Sequence, residues 1–291
     1  KSCKELRLHI NKSYLFFCKM KKKILIIGQN GLIGKNLFNY FKSKKINIYR
    51  ISFKSFLKNK NINNFDIIIN CTSNHKFVKN KYANKNDNDL IIAKKIINLK
   101  TKLVMLSTRK IYKAKFNIKE LDKKEPNCNY SKNKLISEVS VKKILRSRVL
   151  TLRVCNIINY PNKHKRKLHN TFSDIFFEMA KKGFIYNNKK IFKDFISISK
   201  FNQIVYELIK KDSFGVFNIS LSKKIYINQL IAWLNFYNTK KIKVINPKNS
   251  FNNDSFTLNN NKLMKKIKIK NNVLELKNEC LRISKIFFNK K

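Results

Sequence analysis

Apolar residues fall along this chain in two alternating rhythms. Ile24, Leu25, Ile26 and Ile27 form an unbroken apolar run that stops at Gly28, the pattern of a strand covered on both faces. Ile33, Leu37, Phe38 and Phe41 then recur at helical spacing, which predicts a helix with one apolar stripe packed on a sheet. Further strands are expected over residues 46–51, 66–70, 103–107 and 149–154, with helices over 90–99 and 129–145 between them. Strand and helix in this alternation predict an α/β fold, a doubly wound parallel sheet with helices on both faces.

Past residue 156 the pattern loosens. Helices are expected near 174–181, 201–211, 228–237 and 259–266, a strand at 215–219, and a closing helix over 273–288. This reads as a smaller C-terminal substrate lobe, partly interwoven with the sheet. The Asn-rich stretches at 84–88 and 252–261 read as loops. Three segments follow: 1–19 as an N-terminal extension outside the fold, with Met20 as the natural start; 20–155 as the sheet-forming domain; and 156–291 as mainly the lobe, with some elements returning to the sheet.

Charge complicates the picture less than its size suggests. The 291 residues carry a net charge of +50, which ordinarily points to a polyanionic partner. The excess is mostly Lys, spread over nearly every segment and accompanied by abundant Asn, Ile, Phe and Tyr. Such usage reflects base composition of the gene better than a binding surface. The densest cluster, 163–167 with His164 and Arg166, falls in an expected loop. No specific nucleic-acid partner is expected. The six cysteines form no Cys-x-x-Cys pair and the four histidines have no metal-ligand spacing, so no metal is expected. No apolar run reaches the length of a membrane span, and the stretch 14–18 makes a poor signal peptide; the expectation is a cytoplasmic protein.

The chemistry begins at the first strand. Gly28, Gly31 and Gly34 are three of only five glycines in the chain, and they form Gly-x-x-Gly-x-x-Gly between a strand and a helix. A dinucleotide site needs glycines there for a tight turn and close backbone approach, and the helix N-terminus then holds the pyrophosphate. Gly28, Asn30, Gly31, Leu32, Ile33 and Gly34 are therefore the candidate pyrophosphate residues of a Rossmann-type fold. A Walker loop is excluded because five residues separate Gly28 from Gly34 and Asn36 follows Lys35. At the end of the second strand no acid stands to bind a ribose 2′-hydroxyl, whereas Arg50 is placed to meet a 2′-phosphate. NADP is preferred over NAD on that ground.

Tyr130 and Lys134 stand at i and i+4, so the ammonium faces the phenol and favours its ionised form. Tyr40, Tyr186, Tyr206 and Tyr237 also have a Lys at i+4, so spacing alone does not select Tyr130. Position does: it follows the strand that ends in Ser107 and Thr108, and the carboxyl edge of a parallel sheet faces the ligand crevice.

With these residues the chain resembles the extended short-chain dehydrogenase/reductases, the NAD-dependent epimerase/dehydratase family, from Met20 to about Lys270. The segments beginning at Asp66, Leu152, Lys193 and Gly215 fit the same family in order. The resemblance implies an NAD(P)-dependent enzyme acting on a nucleotide-linked sugar, as an epimerase or a keto-sugar reductase. It assigns Tyr130 as acid and base, Lys134 to tune the phenol and hold the nicotinamide ribose, and Thr108 to bond the substrate oxygen. It also implies that Cys71, Thr72, Ser73 and Cys155 line the cofactor, that Asn156 and Lys193 meet substrate, and that the Tyr130 helix can pair subunits in a homodimer. Dehydratases of the family carry Asp-Glu after the Thr, and reductases often Asp-Tyr; here Arg109 and Lys110 stand instead, which argues against dehydration. A protein that keeps the cofactor and serves as a scaffold or redox sensor is the alternative, with nucleic-acid binding behind it.

Overall fold

The computed structural model describes residues 22–161, 171–186, 189–240, 242–245, 254–269 and 272–289. The expectations for residues 1–19, Met20, the basic cluster 163–167 and residues 252–253 lie outside the described residues.

Strand β1 (Ile24–Ile27) is buried along its whole length, and helix α1 (Leu32–Ser43) follows it directly. The chain then lays down β2 (Ile48–Ile51), α2 (Phe53–Lys58), β3 (Ile67–Asn70), α3 (His75–Lys79), α4 (Asn88–Lys95), β4 (Lys102–Thr108), α5 (Asn129–Leu145) and β5 (Val149–Val154). The next strand of the same sheet, β10 (Gly215–Ile219), comes from well beyond residue 156. The six strands run in the order β10-β5-β4-β3-β1-β2, and every pairing is parallel.

Alternation along β1 sorts the core into two layers. Ile24 and Ile26 pack with Leu37 and Phe41 of α1, and Leu25 and Ile27 pack with Ile92, Ala93, Val141 and Leu145 of α4 and α5. Helix α7 (Ile198–Lys210) shares the α1 face, where Tyr206 meets the rings of Tyr40 and Phe41 at 6.1 and 5.8 Å. The chain leaves β1 for β2 on one side and resumes at β3 on the other. That reversal opens a crevice at the carboxyl ends of β1 and β3, where ligands of doubly wound sheets sit.

The remaining strands are short: β6 (Asn156–Ile158), β7 (Phe184–Tyr186), β8 (Phe192–Lys193), β9 (Phe195–Ser197), β11 (Ile225–Tyr226) and β12 (Lys243–Ile245), and helices α6 (Phe172–Lys181), α8 (Ile227–Asn235), α9 (Asn261–Lys266) and α10 (Val273–Phe288) accompany them. The strands form three two-stranded pairs, β6 with β9, β8 with β11 and β7 with β12. Asp194, between β8 and β9, ties them to the sheet: its fully buried carboxylate accepts the N–H groups of Leu221, Ser222 and Leu258 at 3.2, 3.1 and 3.1 Å. Burial raises its pKa to about 7, against these hydrogen bonds, which lower it. Among the described residues no helix is long and apolar enough to cross a membrane.

Candidate functional site

Three glycines shape the loop between β1 and α1 for different reasons. Gly28 has φ +101°, a conformation that side chains rarely adopt. At Gly34 a Cβ would lie 2.2 Å from the Gly28 carbonyl oxygen, so only glycine lets α1 seat against the loop. Gly31 is the N-cap of α1, and a Cβ there would meet nothing closer than 3.4 Å. No side chain caps α1 and its first turn holds no acid. The orphan N–H groups of that turn, with the positive end of the helix dipole, suit an anionic phosphate. Asn30 and Gly31 are exposed and Leu32 and Ile33 half-buried.

Arg50 is exposed on β2, and its guanidinium lies over the ring of Phe38 at 4.4 Å. Phe38 is in the second turn of α1, so Arg50 flanks the helix rather than its N-terminus.

The loop after β3 packs on the glycine turn: Cys71 donates its N–H to Ile27 at 2.9 Å. Burial and the Asp89 carboxylate push the Cys71 thiol well up, which keeps it protonated. Thr72 donates from its backbone N–H and its hydroxyl to Asn70 Oδ1 at 3.0 and 2.6 Å. Ser73 Oγ is buried without a hydrogen-bond partner among the described residues.

Across the crevice stands α5. Its first turn is fixed by Ser131, whose hydroxyl accepts the Cys128 N–H at 3.2 Å, and by Asn133, which donates to the carbonyls of Phe77 and Asn80 at 2.7 and 2.8 Å. This sets Tyr130 against Thr108 at the end of β4, with a hydrogen bond between the two hydroxyls. Lys134, 5% exposed, bonds Asp89 Oδ2 at 3.0 Å, and Asp89 Oδ1 accepts from Asn70 at 2.7 Å. Burial alone would lower the Lys134 pKa, but Asp89 and Tyr130 outweigh it and push it up to about 12.

Tyr130 departs from the expectation of a lowered phenol. Burial raises its pKa, Lys134 and the Thr108 hydroxyl lower it, and Asp89 raises it again. Burial outweighs the ammonium, which is shared with a carboxylate, so the phenol stays above its ordinary value. The sequence pointed to Tyr130 and Lys134 but missed Asp89 and its neighbour Asp87, whose carboxylate caps α4 and accepts from Ser137 at 3.0 Å. A signal was present: with 16 acids against 66 Lys and Arg in the chain, two acids at 87 and 89 opening a helix stand out.

On the other side of Thr108, Cys155 is buried and its thiol is pushed well up by burial and by Asp194. Asn156 donates from its amide side chain to the Asp194 carbonyl at 3.2 Å. Lys193 Nζ bonds Asp254 Oδ2 at 2.8 Å, and Arg109 Nη2 reaches both oxygens of the same carboxylate at 2.8 and 2.9 Å. Arg109 and Asp254 were not among the expected site residues.

No protein-family model matches the sequence, and no curated protein matches it. Solved structures do match along almost the whole length. A UDP-N-acetylglucosamine 4-epimerase from Methanobrevibacter ruminantium M1, in complex with UDP-N-acetylmuramic acid, is 17% identical over 93% of this chain and 99% of its own, with a TM-score of 0.75. The Bordetella bronchiseptica enzyme WbmG, in complex with NAD, is 17% identical over 92% and 94%, with a TM-score of 0.73. RMD from Pseudomonas aeruginosa, complexed with NADPH, is 14% identical over 94% and 99%, with a TM-score of 0.72. The fold is that of the extended short-chain dehydrogenase/reductases. At these identities the likeness establishes the fold and leaves activity to be argued from the site.

Proposed function

We propose that this chain is an NAD(P)-dependent enzyme that epimerises or reduces a nucleotide-linked sugar. The observation that carries the reading is the meeting of Thr108 and Tyr130, with Lys134 beside them, at the carboxyl edge of the sheet that also carries the glycine loop. The residues at that loop fit a dinucleotide, because Gly28 and Gly34 leave the cradle free of side chains and the first turn of α1 is uncapped. Gly28, Asn30, Gly31, Leu32, Ile33 and Gly34 would hold its pyrophosphate. Cys71, Thr72, Ser73 and Cys155 would wall it, and Lys134 would reach the nicotinamide ribose. Arg50 is the ground for preferring NADP over NAD. The neighbours bound to NAD, to NADPH and to a UDP-sugar acid agree with this class of cofactor and substrate. Residues 20–155 then supply the cofactor half and 156–291 mainly the substrate half.

When bound, a nicotinamide would supply the hydride exchange at the sugar carbon. Tyr130 gives its proton to the carbonyl oxygen that becomes a hydroxyl, and takes it back in the reverse direction. Thr108 bonds the same oxygen, and the Lys134 ammonium stabilises the phenolate left behind. A phenol held above its ordinary pKa is protonated at neutral pH, the state needed for reducing a ketone. Asn156 and Lys193 would contact the substrate from the lobe. Ile136 and Val139 of α5 are 41% and 62% exposed, which suits the homodimer that the family resemblance allows; sedimentation would detect it.

The test is Tyr130→Phe assayed with nucleotide sugars and NADP(H). Turnover should fall about 10²- to 10⁴-fold while cofactor affinity is retained; an unchanged rate would overturn the assignment. The scaffold reading has one observation in its favour, the capture of Lys134 by Asp89, and it requires cofactor binding without turnover on any sugar.

A further inference from the structure

Arg109 follows Thr108 directly, yet it is only 7% exposed. Its guanidinium lies 3.9 Å from the ring centroid of Phe256, and Nη2 alone serves both oxygens of Asp254. Nε is buried and has no hydrogen-bond partner among the described residues. An unsatisfied buried donor is costly, and more so when it is charged. Lys193 Nζ sits on the same Asp254 carboxylate, so two cations share one anion and the cluster keeps an excess positive charge. Lys193 is itself one of the residues assigned to the substrate, and the carboxylate it shares with Arg109 puts the cluster beside that site.

We propose that the substrate's sugar carries a carboxylate, drawn in by the excess positive charge of Arg109 and Lys193 over the one carboxylate they share, Asp254. The inference rests on the nucleotide-sugar reading above and adds the substrate class. Adjacent residues lie about 3.8 Å apart at Cα, so an anion on Arg109 belongs to the ring near the oxygen handled by Thr108 and Tyr130, not to the distant nucleotide. Carboxylate and guanidinium match in shape as well as charge, and such charge-assisted bonds are about twice as strong as neutral ones. Asp254 is half-exposed and competes for the guanidinium, so it weakens the carboxylate's hold without abolishing it.

Calorimetric titration of the full chain in NADP, with UDP-glucuronic acid against UDP-glucose and the dTDP forms of both, tests this. Wild type should bind the acid about tenfold or more tightly than the neutral sugar. Arg109→Gln should erase that preference and leave affinity for the neutral sugar near wild type. Asp254→Asn, which frees the guanidinium, should increase the preference and guards against a folding defect in the first variant. Equal binding of acid and neutral sugar by wild type, or a preference unchanged in Arg109→Gln, overturns the inference alone. Failure of every nucleotide sugar to bind overturns the nucleotide-sugar reading and this inference with it.

Discussion

Replacing Gly34 by alanine and Gly31 by aspartate should have opposite consequences, although the two residues share one turn. An alanine Cβ at Gly34 would stand 2.2 Å from the Gly28 carbonyl oxygen and 3.1 Å from its carbon. Relief needs a shift of more than about 1 Å by backbone at the start of α1, and overpacking of this kind costs about 1–3 kcal/mol, occasionally more. We expect the upper end, about 3 kcal/mol, which at about 2–4 °C per kcal/mol lowers Tm by about 6–12 °C. The Cβ of Gly31→Asp meets nothing nearer than 3.4 Å, and the residue occupies an N-cap, where Asp is at least as good as Gly by a few tenths of a kcal/mol. Its fold should therefore survive, while its carboxylate occupies and repels the pyrophosphate site. Urea unfolding followed by circular dichroism reads the stabilities, and NADPH fluorescence reads the binding. A wild-type midpoint in Gly34→Ala, or wild-type NADPH affinity in Gly31→Asp, would refute the geometry assigned to the loop.

Three further outcomes follow from buried charge. Glu138→Gln leaves Arg153 buried without its carboxylate, which now bonds Arg153 Nη2 at 2.6 Å with both groups 6% exposed; stability should drop by about 3–5 kcal/mol, and an unchanged urea midpoint would refute this. Asp89→Asn removes a charge that raises the Tyr130 pKa while Lys134 still lowers it, so the limb of the pH–rate profile assigned to the phenol should move to lower pH. Movement to higher pH would show that Lys134 discharges without its partner. Asp194 has a folded pKa of about 7, above the ordinary carboxylate value, so the unfolded chain gives up its proton first as pH rises. Its contribution to stability should fall between about pH 4 and pH 7 and then level off, and Asp194→Asn should flatten that slope in urea midpoints measured across the range.

Elements with strong local signals were legible in the sequence, and those that depend on distant contacts were not. The bounds of β5, α5, β10 and α10 coincide with the apolar pattern. Helix α4 ends at Lys95, short of the expected residue 99, because the chain turns at Ile96. Helix α7 starts at Ile198, earlier than expected, because the Ser197 hydroxyl caps it. Strands β8 and β11 have two residues each, and β6, β7, β9 and β12 three, too few to display a period of two. The same divide runs through the site. The glycine loop and the Tyr130–Lys134 spacing are local patterns. The partners that tune them come from 45 residues away for Asp89 with Lys134 and 145 for Asp254 with Arg109, and only the folded chain brings these together.

The most direct test of the account is a fluorescence titration of the wild-type protein with NADPH and with NADH. Saturable binding in the micromolar range is expected, with NADPH the tighter of the two on the strength of Arg50. No binding of either cofactor by the folded protein would contradict it.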